Sequence, residues 1–151
     1  MPWQQKSGLF VYWLMWPGLW VYLHFSQRTR LLVVCDQQVL LVKSWLGDGK
    51  WSLPGGGRHR GEDSLTGAQR ELAEETTLDV PLKDFQFLAN TTANSNGLRF
   101  RYDLFVVDLA TTAPVQRQRG EIVAIGWFDY RQLSSRQLSQ EVQEALEAWF
   151  D

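Results

Sequence analysis

The stretch Arg70-Glu71-Leu72-Ala73-Glu74-Glu75 packs three carboxylates into two helical turns. At about 100° per residue, a helix places Glu71, Glu74 and Glu75 within a roughly 100° arc beside the apolar positions. Like charges at these spacings repel by a few tenths of a kcal/mol per pair, so the arc is stabilised by a partner. Clustered carboxylate oxygens suit magnesium or manganese, hard divalent ions that also bind phosphate oxygens. A solvated acidic face is the other reading of these three residues taken alone. The loop ahead of them, Pro54-Gly55-Gly56-Gly57, is flexible enough to approach a ligand closely.

Spacing separates the two readings. Gly56, Glu62, Arg70, Glu71, Leu72, Glu74, Glu75 and Leu78 fall in a set order. It runs Gly, five residues, Glu, seven residues, Arg-Glu-apolar, one residue, Glu-Glu, two residues, apolar. With Leu53-Pro54-Gly55-Gly56-Gly57 and Gly61-Glu62, this resembles the box of the Nudix (MutT-like) hydrolases. The resemblance centres on Leu53 to Leu78, and the flanking strands continue it from Thr29 to Tyr130.

That resemblance implies an α/β (α+β) fold, an αβα sandwich with a mixed β-sheet flanked by helices. It implies Mg²⁺, with Mn²⁺ as a substitute, bound by Glu71, Glu74 and Glu75. A backbone carbonyl of Gly55 or Gly56 would complete the shell, and Glu62 would join through water. Arg70 would orient a glutamate, and Glu121 resembles a later acidic residue that assists in many relatives. Glu74, Arg70 and Glu121 are therefore the catalytic candidates, and the resemblance leaves open which glutamate is the base. Arg58 and Arg60 are candidates to meet substrate phosphates, whereas His59 is a poor ligand where carboxylates dominate. The implied reaction is hydrolysis of a phosphoanhydride bond in a nucleoside diphosphate derivative, such as a nucleoside triphosphate or a nucleotide sugar.

One position departs from the pattern. Thr77 stands where the family has glycine after the Glu-Glu pair. A β-branched residue resists the left-handed conformation, so a different local loop is expected there. This departure motivates the alternative of a catalytically weak module that binds or senses a nucleotide. A prenyl diphosphate isomerase does not fit, because such relatives resemble a histidine-rich pattern and this chain has two histidines.

The elements that must position these groups are legible in outline. Thr29 to Val34 and Val39 to Ser44 are β-branched and leucine-rich runs around Cys35-Asp36-Gln37-Gln38, a hairpin signal. Trp51 to Leu53 is a short strand. Ser64 is placed to cap a helix running to Thr76, with Leu65, Ala68 and Leu72 on one face. Phe85 to Thr92 and Leu98 to Leu109 read as strands joined by a turn over Ala93 to Gly97. On the second strand Arg99 and Arg101 alternate with Phe100 and Tyr102, which suits core packing more than base stacking. Ile122 to Tyr130 is a further strand. Ser139 to Phe150 is an amphipathic helix with Val142, Leu146, Trp149 and Phe150 inward.

At 151 residues the chain suffices for one domain with a sizeable core. A net charge of −2 provides no basic field for nucleic acid polymers, so the expected partner is a small nucleotide. The single cysteine, Cys35, excludes an intrachain disulfide and a cysteine-based zinc cluster. It reads as a small buried hydrophobe, and the composition fits a reducing, cytoplasmic setting. Residues 29–151 are expected to form the Nudix domain, and 1–28 an apolar segment packed on it or on a partner.

The run Gly8 to Phe25 carries no Asp, Glu, Lys or Arg. Pro17-Gly18 in its middle and positive charge on both sides argue against a transmembrane helix. The favoured reading is a helix around Gln4 to Trp16 followed by an extended Leu19 to Phe25. These would pack on the domain or form a homodimer, with membrane contact as the less favoured use.

Overall fold

A computed structural model of the protein describes residues 10, 11, 13–18, 26–95, 97–117 and 120–150. Five strands form one sheet: β1 (Arg28–Cys35), β2 (Gln38–Ser44), β3 (Phe85–Ser95), β4 (Leu98–Asp108) and β5 (Ile122–Asp129). Their order is β3-β4-β1-β2-β5. The β1–β4 pair is parallel and the other pairs are antiparallel, which makes the sheet mixed. Two α-helices cover it, α1 (Ser64–Thr76) and α2 (Gln140–Phe150).

Alternation on β1 assigns each face its own core. Leu31 and Val33 point toward α1 and join Leu40, Ala68, Leu72, Phe105 and Val107. Leu32 and Val34 point the other way and join Val39, Leu41, Leu104, Val106, Val142 and Ala145 beneath α2. A strand buried on both faces shows no polar alternation, and Leu31 to Val33 are all fully buried. Each such side chain contributes roughly 1.5–3 kcal/mol of burial. The αβα sandwich expected from the box is the fold observed.

The β1–β2 hairpin is open at the end that matters. Its strands pair at Val34↔Val39 and Cys35↔Gln38, next to the turn. Farther along, the segment 51–57 wedges between them. Ser52 exchanges both backbone hydrogen bonds with Val42, at 2.9 and 3.0 Å, while Leu31 and Thr29 donate to the carbonyls of Pro54 and Gly56, each at 2.9 Å. The short strand expected at Trp51 to Leu53 is thus a pair of isolated bridges, Trp51↔Leu138 and Val42↔Ser52.

Further details differ from the sequence-based expectations. Asp63, not Ser64, caps α1, with Oδ1 accepting from the Thr66 amide at 2.9 Å. Asp63 sits one residue earlier with extended backbone, whereas Ser64 is already helical and donates its hydroxyl to Asp103 at 2.5 Å. Strand β3 continues to Ser95, shortening the expected turn, because its pairing with β4 runs to Ser95↔Leu98. Thr77 adopts φ 63°, ψ 9°, the left-handed conformation that glycine would take there. Its amide donates to the Ala73 carbonyl at 3.0 Å and closes the helix as glycine would. The expected loop change does not occur.

Near the amino terminus, residues 13–18 are helical, so the helix runs two residues beyond Trp16, through Pro17 and Gly18. The extended run expected over Leu19 to Phe25 lies outside the described residues. Phe10, Trp13, Leu14 and Met15 are exposed. No described helix is long and apolar enough to cross a membrane.

Candidate active site

The wedge and α1 meet at one carboxylate. Glu75, on the buried side of α1, accepts the Gly55 amide at 2.8 Å and is 6% exposed. Burial pushes its pKa up to about 7, partly offset by that N–H and by Arg30, while Glu71 and Glu121 push the same way as burial. Glu71 is also raised by burial, against the pull of Arg70. Two neighbouring carboxylates that resist ionisation create a demand for positive charge.

Glycine is required twice in the wedge. Gly55 has φ +132°, a conformation L residues avoid, and a Cβ there would overlap the Thr29 carbonyl. At Gly56 a Cβ would lie 2.7 Å from Glu71 Oε1. The missing side chain leaves room for the Glu71 carboxylate against the loop.

Arg70 organises the opposite side of the acidic helix. Its Nε and Nη2 bind the two oxygens of Glu62 at 2.8 and 3.0 Å, a bidentate pair. Nη2 also donates to the Gly57 carbonyl at 3.1 Å, and Nη1 reaches Glu71 at 3.0 Å and Glu74 at 3.1 Å. These bonds hold the Glu62 pKa down at about 2, with help from the His59 amide. The guanidinium thus occupies the centre of the acidic cluster. Drawn toward it, the carboxylates do not converge elsewhere: among the described residues no three His, Cys, Asp or Glu side chains share a metal-holding point.

A cavity of roughly 760 Å³ opens beside this arrangement. Glu71, Glu75 and Glu121 border it together with Gly55 and Gly56. Arg58 and His59 border it as well, whereas Glu62, Glu74, Arg60 and Arg70 do not. The Glu121 carbonyl accepts the Trp45 amide at 2.7 Å, which ties the β2 end of the cavity to the entry of β5. Buried Arg58 Nε has no hydrogen-bond partner among the described residues. The donor set fits a hard divalent cation by its chemistry: oxygen ligands on three segments, with a carboxylate pair of raised pKa. Of these carboxylates Glu71 is bound by Arg70, while Glu75 accepts the Gly55 amide.

Sequence reasoning missed Arg30, Glu141, Trp45 and Lys50, all of which border the cavity. Two of these carried a signal. Arg30 is a charge inside a leucine- and valine-rich strand, and Glu141 precedes Ala145 by one helical turn on the buried face of α2. Phe100 is 7% exposed and packs in the core while bordering the cavity, with the guanidinium groups of Arg28 and Arg30 over its ring.

Comparison with known proteins agrees with the geometry. The family model for the NUDIX domain matches residues 25–150. Nudix hydrolase 10 of Arabidopsis thaliana is 27% identical over 137 residues, covering 88% of this chain and 48% of the relative. The chain thus spans about half the length of that plant protein. The crystal structure of a MutT NUDIX hydrolase from Burkholderia pseudomallei superposes with a TM-score of 0.71 at 22% identity, over 82% of this chain and 97% of that one. A bifunctional NMN adenylyltransferase/ADP ribose pyrophosphatase from Francisella tularensis, complexed with AMP and a manganese ion, gives 0.66 at 16% identity, over 89% of this chain and 45% of that one. The fold is shared with both structures, and the match over residues 25–150 assigns the chain to the NUDIX domain family.

Proposed function

We propose that this chain is a divalent-cation-dependent pyrophosphohydrolase that cleaves a phosphoanhydride bond in a small nucleoside diphosphate derivative. The observation that carries the reading is the placement of Glu71, Glu75 and Glu121 on the lining of one cavity, together with the glycines of the wedge. Mg²⁺ or Mn²⁺ would be held by Glu71, Glu75 and Glu121 with a carbonyl of the wedge. When bound, it would polarise the phosphoryl oxygen and acidify a water.

The chain's own residues supply the rest. Burial raises the pKa of Glu75 to about 7, and a bound cation would draw out its charge and make it a ligand. Glu74 has a half-exposed side chain on Arg70, and exposed ion pairs are worth at most about 1 kcal/mol, so it can exchange that contact for a cation. Arg70 keeps Glu71 oriented and, with Glu62, locks the loop that carries Arg58 and Arg60. Arg58, at the cavity wall, would meet a substrate phosphate, and Arg60 would act from the outer rim. Cavity volume and the absence of a basic field suit a single nucleotide derivative rather than a polymer.

The test is a panel of ADP-ribose, nucleotide sugars, nucleoside triphosphates and dinucleoside polyphosphates, each with Mg²⁺, Mn²⁺ or EDTA. Release of nucleotide or phosphate that EDTA abolishes is expected. One observation favours the second reading, a sensing module: the described carboxylates do not converge on a point. Thr77 no longer distinguishes the two, since its backbone is that of glycine. Thermal stabilisation by a nucleotide recovered intact after long incubation would favour sensing over hydrolysis.

A further inference from the structure

Arg30 and Glu141 border the cavity, yet neither belongs to the hydrolytic set proposed above. Their side chains are 12% and 4% exposed and meet at 3.1 Å, Nε to Oε2. Arg30 Nη1 also donates to the Gly55 carbonyl at 2.5 Å, and its guanidinium lies 5.5 Å from the centre of the Phe100 ring. Burial works against the charge on Arg30, but Glu141 and Glu75 outweigh it and hold its pKa above the ordinary value. Arg30 therefore stays charged with its directions fixed by three neighbours.

Gly55 is gripped at both ends as a result. Its amide is held by Glu75 and its carbonyl by Arg30. Leu31 and Thr29 hold the carbonyls on either side of Gly55, and a glycine has little backbone preference of its own, so Glu75 and Arg30 fix the two groups that the strand leaves unheld. Glu141, in the first turn of α2, carries that hold to the opposite layer of the sandwich.

We propose that Arg30, braced by Glu141, is the positioning residue that sets the Gly55 peptide and Glu75, coupling the C-terminal helix to the cation-binding loop. This rests on the hydrolase reading of the site. Arg30 acts through Gly55 and Glu75 rather than on the substrate. Its planar fork suits the role, because it aims two fixed donors at Glu141 and the Gly55 carbonyl where a lysine ammonium is a flexible point charge.

The experiment compares the full chain with Arg30→Lys and Glu141→Gln, the second keeping an acceptor for Arg30 should the first fold poorly. In metal-free protein, exchange of the Gly55 amide proton is expected to accelerate about tenfold or more in both variants. Mn²⁺ affinity and kcat on the best panel substrate are expected to fall by roughly tenfold or more, with KM for the nucleotide within about twofold. The double variant is expected to be less than additive. A tenfold rise in KM with unchanged Mn²⁺ affinity would make Arg30 a substrate ligand and overturn the proposal, as would unchanged Gly55 exchange. If wild-type protein neither binds Mn²⁺ nor turns over any substrate, the hydrolase reading fails, and Gly55 exchange still decides whether Arg30 and Glu141 set the loop.

Discussion

At the scale of single residues, Gly55 and Gly56 of the wedge and Thr77 at the end of α1 meet different constraints. Gly55→Ala faces both a forbidden φ and an overlap with the Thr29 carbonyl, so a loss of roughly 3 kcal/mol or more is expected in urea unfolding. Gly56→Ala meets the flexible end of Glu71 instead. It should fold with a loss of about 1 kcal/mol or less, because a side chain can move aside where a backbone cannot. Its expected defect is functional, a loss of more than about tenfold in kcat as Glu71 is displaced. Thr77 is a β-branched residue in left-handed conformation, which costs roughly 1–2 kcal/mol, and glycine gives back about 0.5–1 of that as entropy. Thr77→Gly should therefore raise stability by about 0.5–1 kcal/mol without altering activity, and a lower unfolding midpoint would show the strain to be absent.

Glu75 gives the metal-free protein a pH dependence of defined sign. Its native pKa is raised from 4.5 to about 7, so between these values the native state holds a proton that the unfolded state has lost. Stability contributed by this group therefore falls as pH rises through that window, by roughly 3 kcal/mol in full. A cation favours the ionised form, so Mn²⁺ stabilisation should grow over the same range. Chemical denaturation at pH 5 and pH 8, with EDTA and with Mn²⁺, checks both trends. Equal stability at the two pH values in EDTA, once Glu75→Gln is used as the reference, would contradict the burial of its charge.

At the scale of elements, the box was legible because its chemistry is local. The three glutamates, the arginine and the glycines lie on one loop and one helix, where periodicity and spacing suffice to place them. The sequence locates the end of helix α1 but places its cap and first residue one position late, since Ser64 and Asp63 both suit the cap and only the backbone chooses. Asp63→Ala should cost about 1 kcal/mol in stability through the lost Thr66 bond. Ser64→Ala leaves the cap intact, and its effect should disappear in an Asp103→Ala background, where its acceptor is gone. The wedge of segment 51–57 between β1 and β2 was not legible. A hairpin signal specifies that two strands pair, and the point at which they part depends on the third segment that enters. For the same reason Arg30 and Glu141, 111 positions apart, carried a signal in sequence but no indication that they meet.

At the scale of the whole molecule, the sheet separates two cores, and the site sits where the wedge meets α1 and the end of β2 meets the entry of β5. Strand order places β1 at the centre, so residues on its successive positions reach α1, the glycine loop and α2. Fold class followed from the box and from the strand-rich pattern around it, while the depth of Glu75 and the grip of Arg70 on its neighbours needed three dimensions. The most direct measurement of the central claim is kcat/KM for the best panel substrate with Mg²⁺, in wild-type protein and in Glu75→Gln. Metal-dependent turnover that drops more than about tenfold in the variant, with its fold intact by circular dichroism, is expected. Wild-type turnover indifferent to EDTA, or equal rates in the two proteins, would show that the buried glutamate and its cation do not perform the cleavage.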